Sequence, residues 1–298
     1  MHAAVGASIL DRWERTGAPS LFIVGTGKNV GKTVTMRAVY RALIERGVRP
    51  GLASIGRDGE AIDVGDTGAK PRLWLEPGTV LATARAALPL SPASELLDLA
   101  NVSTAVGPLA FARVRGAAHY ELIGPPTASA LRSVVERLLE FAPRILVDGA
   151  VDRIAALAGG DDAIVVACGA AAASTLEEAV DDVRALTLRL RTPRCEPGEP
   201  RVAIEGALTP ARVAELLRAQ ETRAIVVRDP TQIALSGRAA IAALERLRIR
   251  CERPLRVIAA TVNSAGGDRW FEPRELARAV AHATGLPTFD VYTAERAA

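Results

Sequence analysis

Gly25-Thr26-Gly27-Lys28-Asn29-Val30-Gly31-Lys32-Thr33 concentrates glycines, two lysines and hydroxyl side chains in one short stretch. Small residues let main-chain N–H groups come close to an anion, and a neighbouring ammonium adds a compact positive charge. That donor set suits a chain of phosphates. Lys32 is the residue for the terminal phosphates, and Thr33 carries the hydroxyl that would ligate Mg²⁺. The strict pattern G-x-x-x-x-G-K-[ST] would put a glycine at Thr26, and here Gly25 stands one residue earlier. Lys28 is either an auxiliary catalytic and phosphate contact or a solvated loop lysine.

A phosphate and metal site also needs carboxylates. Arg144-Ile145-Leu146-Val147-Asp148-Gly149-Ala150 reads as an apolar strand that delivers Asp148 at its end, so Asp148 is a metal candidate. Gly56-Arg57-Asp58-Gly59-Glu60 follows another apolar run. Asp58 is the candidate there for a metal or water-ordering role, with Glu60 as its competitor and a polar turn as the plain alternative. Asp152 and Arg153 either order water or form a surface pair. Asn263 is a candidate for reading an adenine edge, or a simple turn residue. His119 has no His or Cys near it in the sequence and reads as structural.

These residues need elements to hold them. Leu21-Phe22-Ile23-Val24 is fit for a buried parallel strand. Met36, Val39, Tyr40, Leu43 and Ile44 recur at helical spacing up to a stop at Gly47. Residues 49–55, 144–148, 164–167, 202–204, 224–227, 257–260 and 288–291 read as further strands. Helices are expected after Thr127, from a capping box at Ser174 and Glu177, from Thr209-Pro210, near 234–249 and after Pro273. The expected fold is α/β, a doubly wound and mostly parallel sheet with ligand at the strand C-termini. It is read as one domain over 1–298, with an N-terminal helix at 1–18 and an insertion at 60–126. Within that insertion a helix is expected at Thr79–Ala87 and a hairpin from Leu109–Val114 and His119–Ile123. Residues 193–201 read as a loop.

Composition narrows the function classes. Apolar residues make up 49% and charged residues 24%, which excludes a mainly disordered chain. No apolar run approaches the roughly 20 residues of a membrane-spanning helix, and the N-terminus lacks a basic leader, so a cytoplasmic protein with no membrane partner is expected. A net charge of +3 and 4% aromatic residues argue against a nucleic-acid partner. Cys168, Cys195 and Cys251 are widely spaced and odd in number, which fits a reducing compartment. Of the 37 basic residues only Lys28, Lys32 and Lys70 are lysine. Where arginine serves as the general cation, a retained lysine marks a place for a point charge.

The string Gly-Thr-x-x-x-Val-Gly-Lys-Thr at 25–33 resembles the phosphate loop of dethiobiotin synthetases and related P-loop ATPases. The resemblance implies ATP and Mg²⁺ as ligands. Deviant Walker A ATPases carry an extra signature lysine five residues before the invariant one. Lys28 lies four before Lys32, which leaves a homodimer as an open alternative. The lysine that dethiobiotin synthetases place after the second strand is absent from Ser54-Ile55-Gly56-Arg57-Asp58. A second resemblance rests on Leu52–Glu60, Lys70-Pro71, Gly78–Ala84, Glu121-Leu122-x-Gly124-Pro125 and Val147–Arg153. Together with the loop, these residues resemble a subunit of the reactivating factor for adenosylcobalamin-dependent lysine 5,6-aminomutase. That resemblance implies an ATPase acting with a second reactivase subunit and the aminomutase to release damaged cobalamin. The alternative is an ATP-dependent small-molecule ligase or kinase.

Overall fold

The computed structural model describes residues 2–55, 72–89, 93–149, 157 and 161–291. Contacts divide the chain into two compact units, Met1–Ile23 with Lys32–Ala156, and Val24–Gly31 with Leu157–Ala298. Among the described residues no helix is long and apolar enough to cross a membrane.

The first unit starts with α1 (His2–Thr16), which buries Val5, Ile9, Leu10 and Trp13 at helical spacing. The Trp13 indole N–H donates to the Ala18 carbonyl at 2.8 Å, so the buried ring keeps a polar partner. β1 (Ser20–Gly25) is buried along its whole length. α2 (Lys32–Glu45) packs on α1 and buries Met36, Val39, Tyr40 and Leu43, each apolar side chain contributing about 1.5–3 kcal/mol. Then come β2 (Gly51–Ser54), β3 (Leu73–Leu75), β4 (Val80–Ala84), β5 (Ser94–Thr104), β6 (Gly107–Val114), β7 (Ala118–Tyr120), α3 (Ala128–Leu138) and β8 (Ile145–Asp148). Six strands of this unit follow the order β1-β8-β2-β4-β6-β5. The pairings from β1 to β4 are parallel, whereas β6 runs antiparallel to both β4 and β5. β3 and β7 form a separate antiparallel pair.

The second unit carries β9 (Ala163–Gly169), α4 (Leu176–Leu190), β10 (Arg201–Ala203), α5 (Pro210–Arg218), β11 (Ala224–Val227), α6 (Gly237–Arg246) and β12 (Ile249–Cys251). It continues with β13 (Arg256–Asn263), β14 (Ala265–Gly266), β15 (Arg269–Trp270), α7 (Pro273–Thr284) and β16 (Thr288–Asp290). β13 pairs in parallel with both β9 and β16. β10, β11 and β12 make a second parallel sheet, and its core includes Val213, Leu216, Ile225, Val227, Ile241 and Ile249.

Among the described residues each unit is thus α/β, the first with parallel and antiparallel pairings in equal number and the second largely parallel, and four of the sequence readings need correction. Residues 201–203 and 224–227 do not join β9, β13 and β16 but form a separate parallel sheet with β12, a strand the sequence reading did not include. Thr79–Ala87 is not a helix. Val80–Ala84 is a fully buried strand, and only Arg85–Ala87 forms a 3₁₀ turn. A short apolar run has no period that separates buried strand from buried helix, and the pairings with β2 and β6 decide the matter. Leu109–Val114 and His119–Ile123 do not pair with each other, because β6 joins β4 and β5 while β7 joins β3. The cap of α4 is Thr175, whose side chain accepts the Glu178 N–H at 3.1 Å, one residue later than the Ser174–Glu177 reading. Glu177 instead pairs with Arg238 at 2.7 Å.

Candidate functional site

Within the first unit, strand register brings the site's acid into place. β8 pairs with β1 so that Asp148 stands opposite Ile23, and with β2 so that Asp148 also stands opposite Ser54. The Gly149 N–H donates to the Ile23 carbonyl at 2.9 Å, and the Ile55 N–H donates to the Asp148 carbonyl at 3.2 Å. The carboxylate therefore sits at the C-terminal end of a parallel strand flanked on both sides. α2 begins at Lys32, so Lys32 and Thr33 occupy its first turn. There the main-chain N–H groups lack partners within the helix, and the helix dipole favours an anion. The Thr33 hydroxyl donates to Asp148 Oδ2 at 3.1 Å, and both residues are partly buried.

The preceding loop, Val24–Gly31, is held by residues of the second unit. The Thr26 N–H donates to the Ala167 carbonyl of β9 at 3.0 Å. Asn29 and Gly31 have φ of 57° and 92°, left-handed values that asparagine tolerates and glycine adopts freely. A Cβ on Gly31 would lie 3.0 Å from Val291 Cγ2 and 3.1 Å from Asn263 Cβ, and one on Gly27 would lie 2.3 Å from Ala172 Cβ. Only glycine fits at Gly27 with the backbone in this place. Val30 is buried, whereas Lys28 and Asn29 are exposed.

Asn263 lies at the end of β13, and its side-chain N–H₂ donates to the Asn29 carbonyl at 3.3 Å. Its amide therefore serves the loop backbone. Cys168, next to Ala167 on β9, is fully buried. Burial, with a smaller contribution from Asp182, pushes its thiol up to about 12. The thiol stays protonated near neutrality and offers no nucleophile.

Of the residues singled out in the sequence, Thr33 and Asp148 meet directly, and Asn263 reaches the loop through Asn29. Lys32 adjoins Gly31 in the chain and opens α2. Asp58, Glu60, Lys70, Asp152 and Arg153 lie outside the described residues. Sequence reasoning missed Ala167, which bonds the loop, and Ala172 and Val291, which stand close to Gly27 and Gly31. No signal marked them, since an alanine or valine that supports a backbone looks like any other core residue.

Thr33 and Asp148 offer hard oxygen donors, which fit Mg²⁺. That ion commonly takes one or two protein ligands and fills its remaining positions with phosphate oxygens and water. No family model matches the chain, and no solved structure matches it. A stretch of 43 residues, 14% of this chain, is 49% identical to the cyclic 2,3-diphosphoglycerate synthetase of Rubrobacter xylanophilus, of which it covers 10%.

Proposed function

We propose that residues 25–33 form a P-loop that binds ATP with Mg²⁺, and that the chain is a Mg²⁺-dependent ATPase. The observation that carries this reading is the Thr33–Asp148 hydrogen bond of 3.1 Å, which joins side chains 115 residues apart. A chance Gly-Lys-Thr has no reason to meet the terminal carboxylate of a buried strand. Thr33 and Asp148 would hold Mg²⁺, which when bound supplies charge neutralisation to the phosphates. The loop N–H groups and the first turn of α2 orient the phosphate chain. Lys32 places its ammonium where negative charge grows during transfer to water. Asp148 accepts from the Thr33 hydroxyl and so turns that oxygen's lone pairs outward. Lys28, exposed on the same loop, is an auxiliary phosphate contact.

In the first reading, turnover serves the release of damaged cobalamin from lysine 5,6-aminomutase, together with a second reactivase subunit. The sequence strings resembling the reactivating factor support it, and the chain would not itself carry cobalamin. The short match to a synthetase supports a second reading, an ATP-dependent ligase or kinase acting on a small phosphorylated acid.

The test is ATP turnover with Mg²⁺ by the purified chain beside Asp148→Asn. Cobalamin-inactivated aminomutase is added in one arm and open-chain 2,3-diphosphoglycerate in another. Turnover raised by the inactive mutase and lost in the variant supports the first reading. Turnover raised only by the phosphorylated acid, with appearance of the cyclic product, replaces it with the second. Failure of ATP to bind at all rejects both.

A further inference from the structure

The first unit holds a cavity of about 460 Å³ that the phosphate site does not use. One wall is the flank of α2, where Arg37, Tyr40, Arg41 and Ile44 recur at helical spacing. The opposite wall comes from the two-stranded sheet, in which Trp74 of β3 is paired in register with His119 of β7. Their rings meet edge to face, with centroids 5.0 Å apart and planes at 74°. Arg72 adds a third guanidinium.

The arrangement is built from its floor upward. The Tyr40 hydroxyl accepts the Glu76 main-chain N–H at 2.7 Å and shares a hydrogen bond of 2.9 Å with the Thr79 hydroxyl. These bonds tie the stretch after β3 to α2. The Glu76 side chain accepts the Trp74 indole N–H at 3.1 Å, which fixes the plane of the ring. Despite this anchoring Trp74 is 53% exposed. A held, half-exposed indole backed by an imidazole is an aromatic platform. Among the described residues, the guanidiniums of Arg37, Arg41 and Arg72 and the carboxylates of Glu45 and Glu76 line the cavity. Guanidinium forks match phosphate oxygens in pairs.

We propose that this cavity is a second ligand site, for a nucleoside monophosphate or a closely similar aromatic phosphate. The base stacks against Trp74 and His119, and the phosphate lies among Arg37, Arg41 and Arg72. The volume falls within the usual range of small-molecule pockets, about 300–1,000 Å³. Neither half of the lining explains the other: guanidiniums alone would suit any anion, and the rings alone any planar group. The site does not depend on the reading of residues 25–33.

Calorimetric titration of the full chain tests it, with AMP, GMP, CMP and UMP as probes and with adenosine and inorganic phosphate as half-ligands. The expected result is saturable binding of at least one monophosphate, more than either half-ligand achieves. Trp74→Ala and Arg41→Ala should each weaken it by about tenfold or more. Trp74→Phe should restore most of the affinity, and Lys32→Ala should leave it unchanged. Trp74 and Arg41 are both exposed, so their variants should fold, and melting curves check this. Absence of binding by all four monophosphates overturns the proposal. So does binding that ignores Trp74→Ala and Arg41→Ala, binding lost in Lys32→Ala, or inorganic phosphate binding as tightly as the nucleotides.

Discussion

α2 carries two regions suited to phosphate, and they are built on different principles. At its N-terminus, Lys32 and Thr33 present one ammonium, one hydroxyl and the helix's own N–H groups, with Asp148 hydrogen-bonded to Thr33. Along its flank, Arg37 and Arg41 join Arg72, Trp74 and His119 around a cavity. Thr33 and Arg41 are separated by about 12 Å of helix at 1.5 Å per residue. The first region offers main-chain donors whose positions follow from helix geometry, so as a phosphate site it would need few side chains and would read any phosphate chain alike. The second uses long side chains and rings, so it selects for shape. On the two proposals, one helix would offer a general phosphate contact at its end and a selective one on its side.

The largest expected effect separates the two regions outright. Lys32→Ala should lower ATP turnover by about 10²- to 10³-fold, the usual cost of removing one group that stabilises transition-state charge. It should leave monophosphate binding in the cavity intact, and equal loss at both places would collapse the distinction. Next in size is Gly31→Val, which forces a branched side chain to φ of 92° against Val291 and Asn263. We expect about 1–3 kcal/mol of strain, read as weaker ATP binding in equilibrium dialysis with cavity binding retained.

An alkaline titration reads the stability of the core around β9, the strand that bonds the loop through Ala167. The Cys168 pKa is raised to about 12 from an ordinary value of 9.0, so the folded chain retains a proton that the unfolded chain releases. The stabilisation is complete below pH 9 and is lost as pH climbs from 9 toward 12, by at most about 1.4 kcal/mol per pH unit. Chemical denaturation at pH 8 and pH 10.5 should show the fall, and Cys168→Ala should flatten it. A slope unchanged by that substitution would assign the alkaline loss elsewhere.

The smallest effect concerns Asn263. Its amide donates to the Asn29 carbonyl, a bond worth about 0.5–1.5 kcal/mol net, so Asn263→Ala should weaken ATP and GTP binding alike by a few-fold. A change in the ATP-to-GTP ratio would instead assign Asn263 to the base.

Residues 25–33 and the helix after them were legible because their logic is local. Glycines, lysines and apolar spacing lie side by side in the chain, and main-chain geometry converts them directly into a loop and a helix start. The place of Asp148 at a strand end was legible for a related reason, since a buried parallel strand has one place to put a terminal carboxylate. The strand at Val80–Ala84 and the partners of β6 and β7 were not legible, because an apolar run and a β-edge are completed by strands far away in sequence. The role of Asn263 was half legible: its place after a strand could be read, but its partner on Asn29 could not. Nothing near Trp74 in the chain announces Arg37, Arg41 or His119. They meet because register pairs β3 with β7 and hydrogen bonds through Tyr40 tie β3's end to α2. The sequence by itself determined the α/β class, the phosphate-loop candidate and its helix. The contact of Thr33 with Asp148, the support of the loop and the place of the cavity came from tertiary structure, because they depend on contacts whose cost in chain closure only the assembled core offsets.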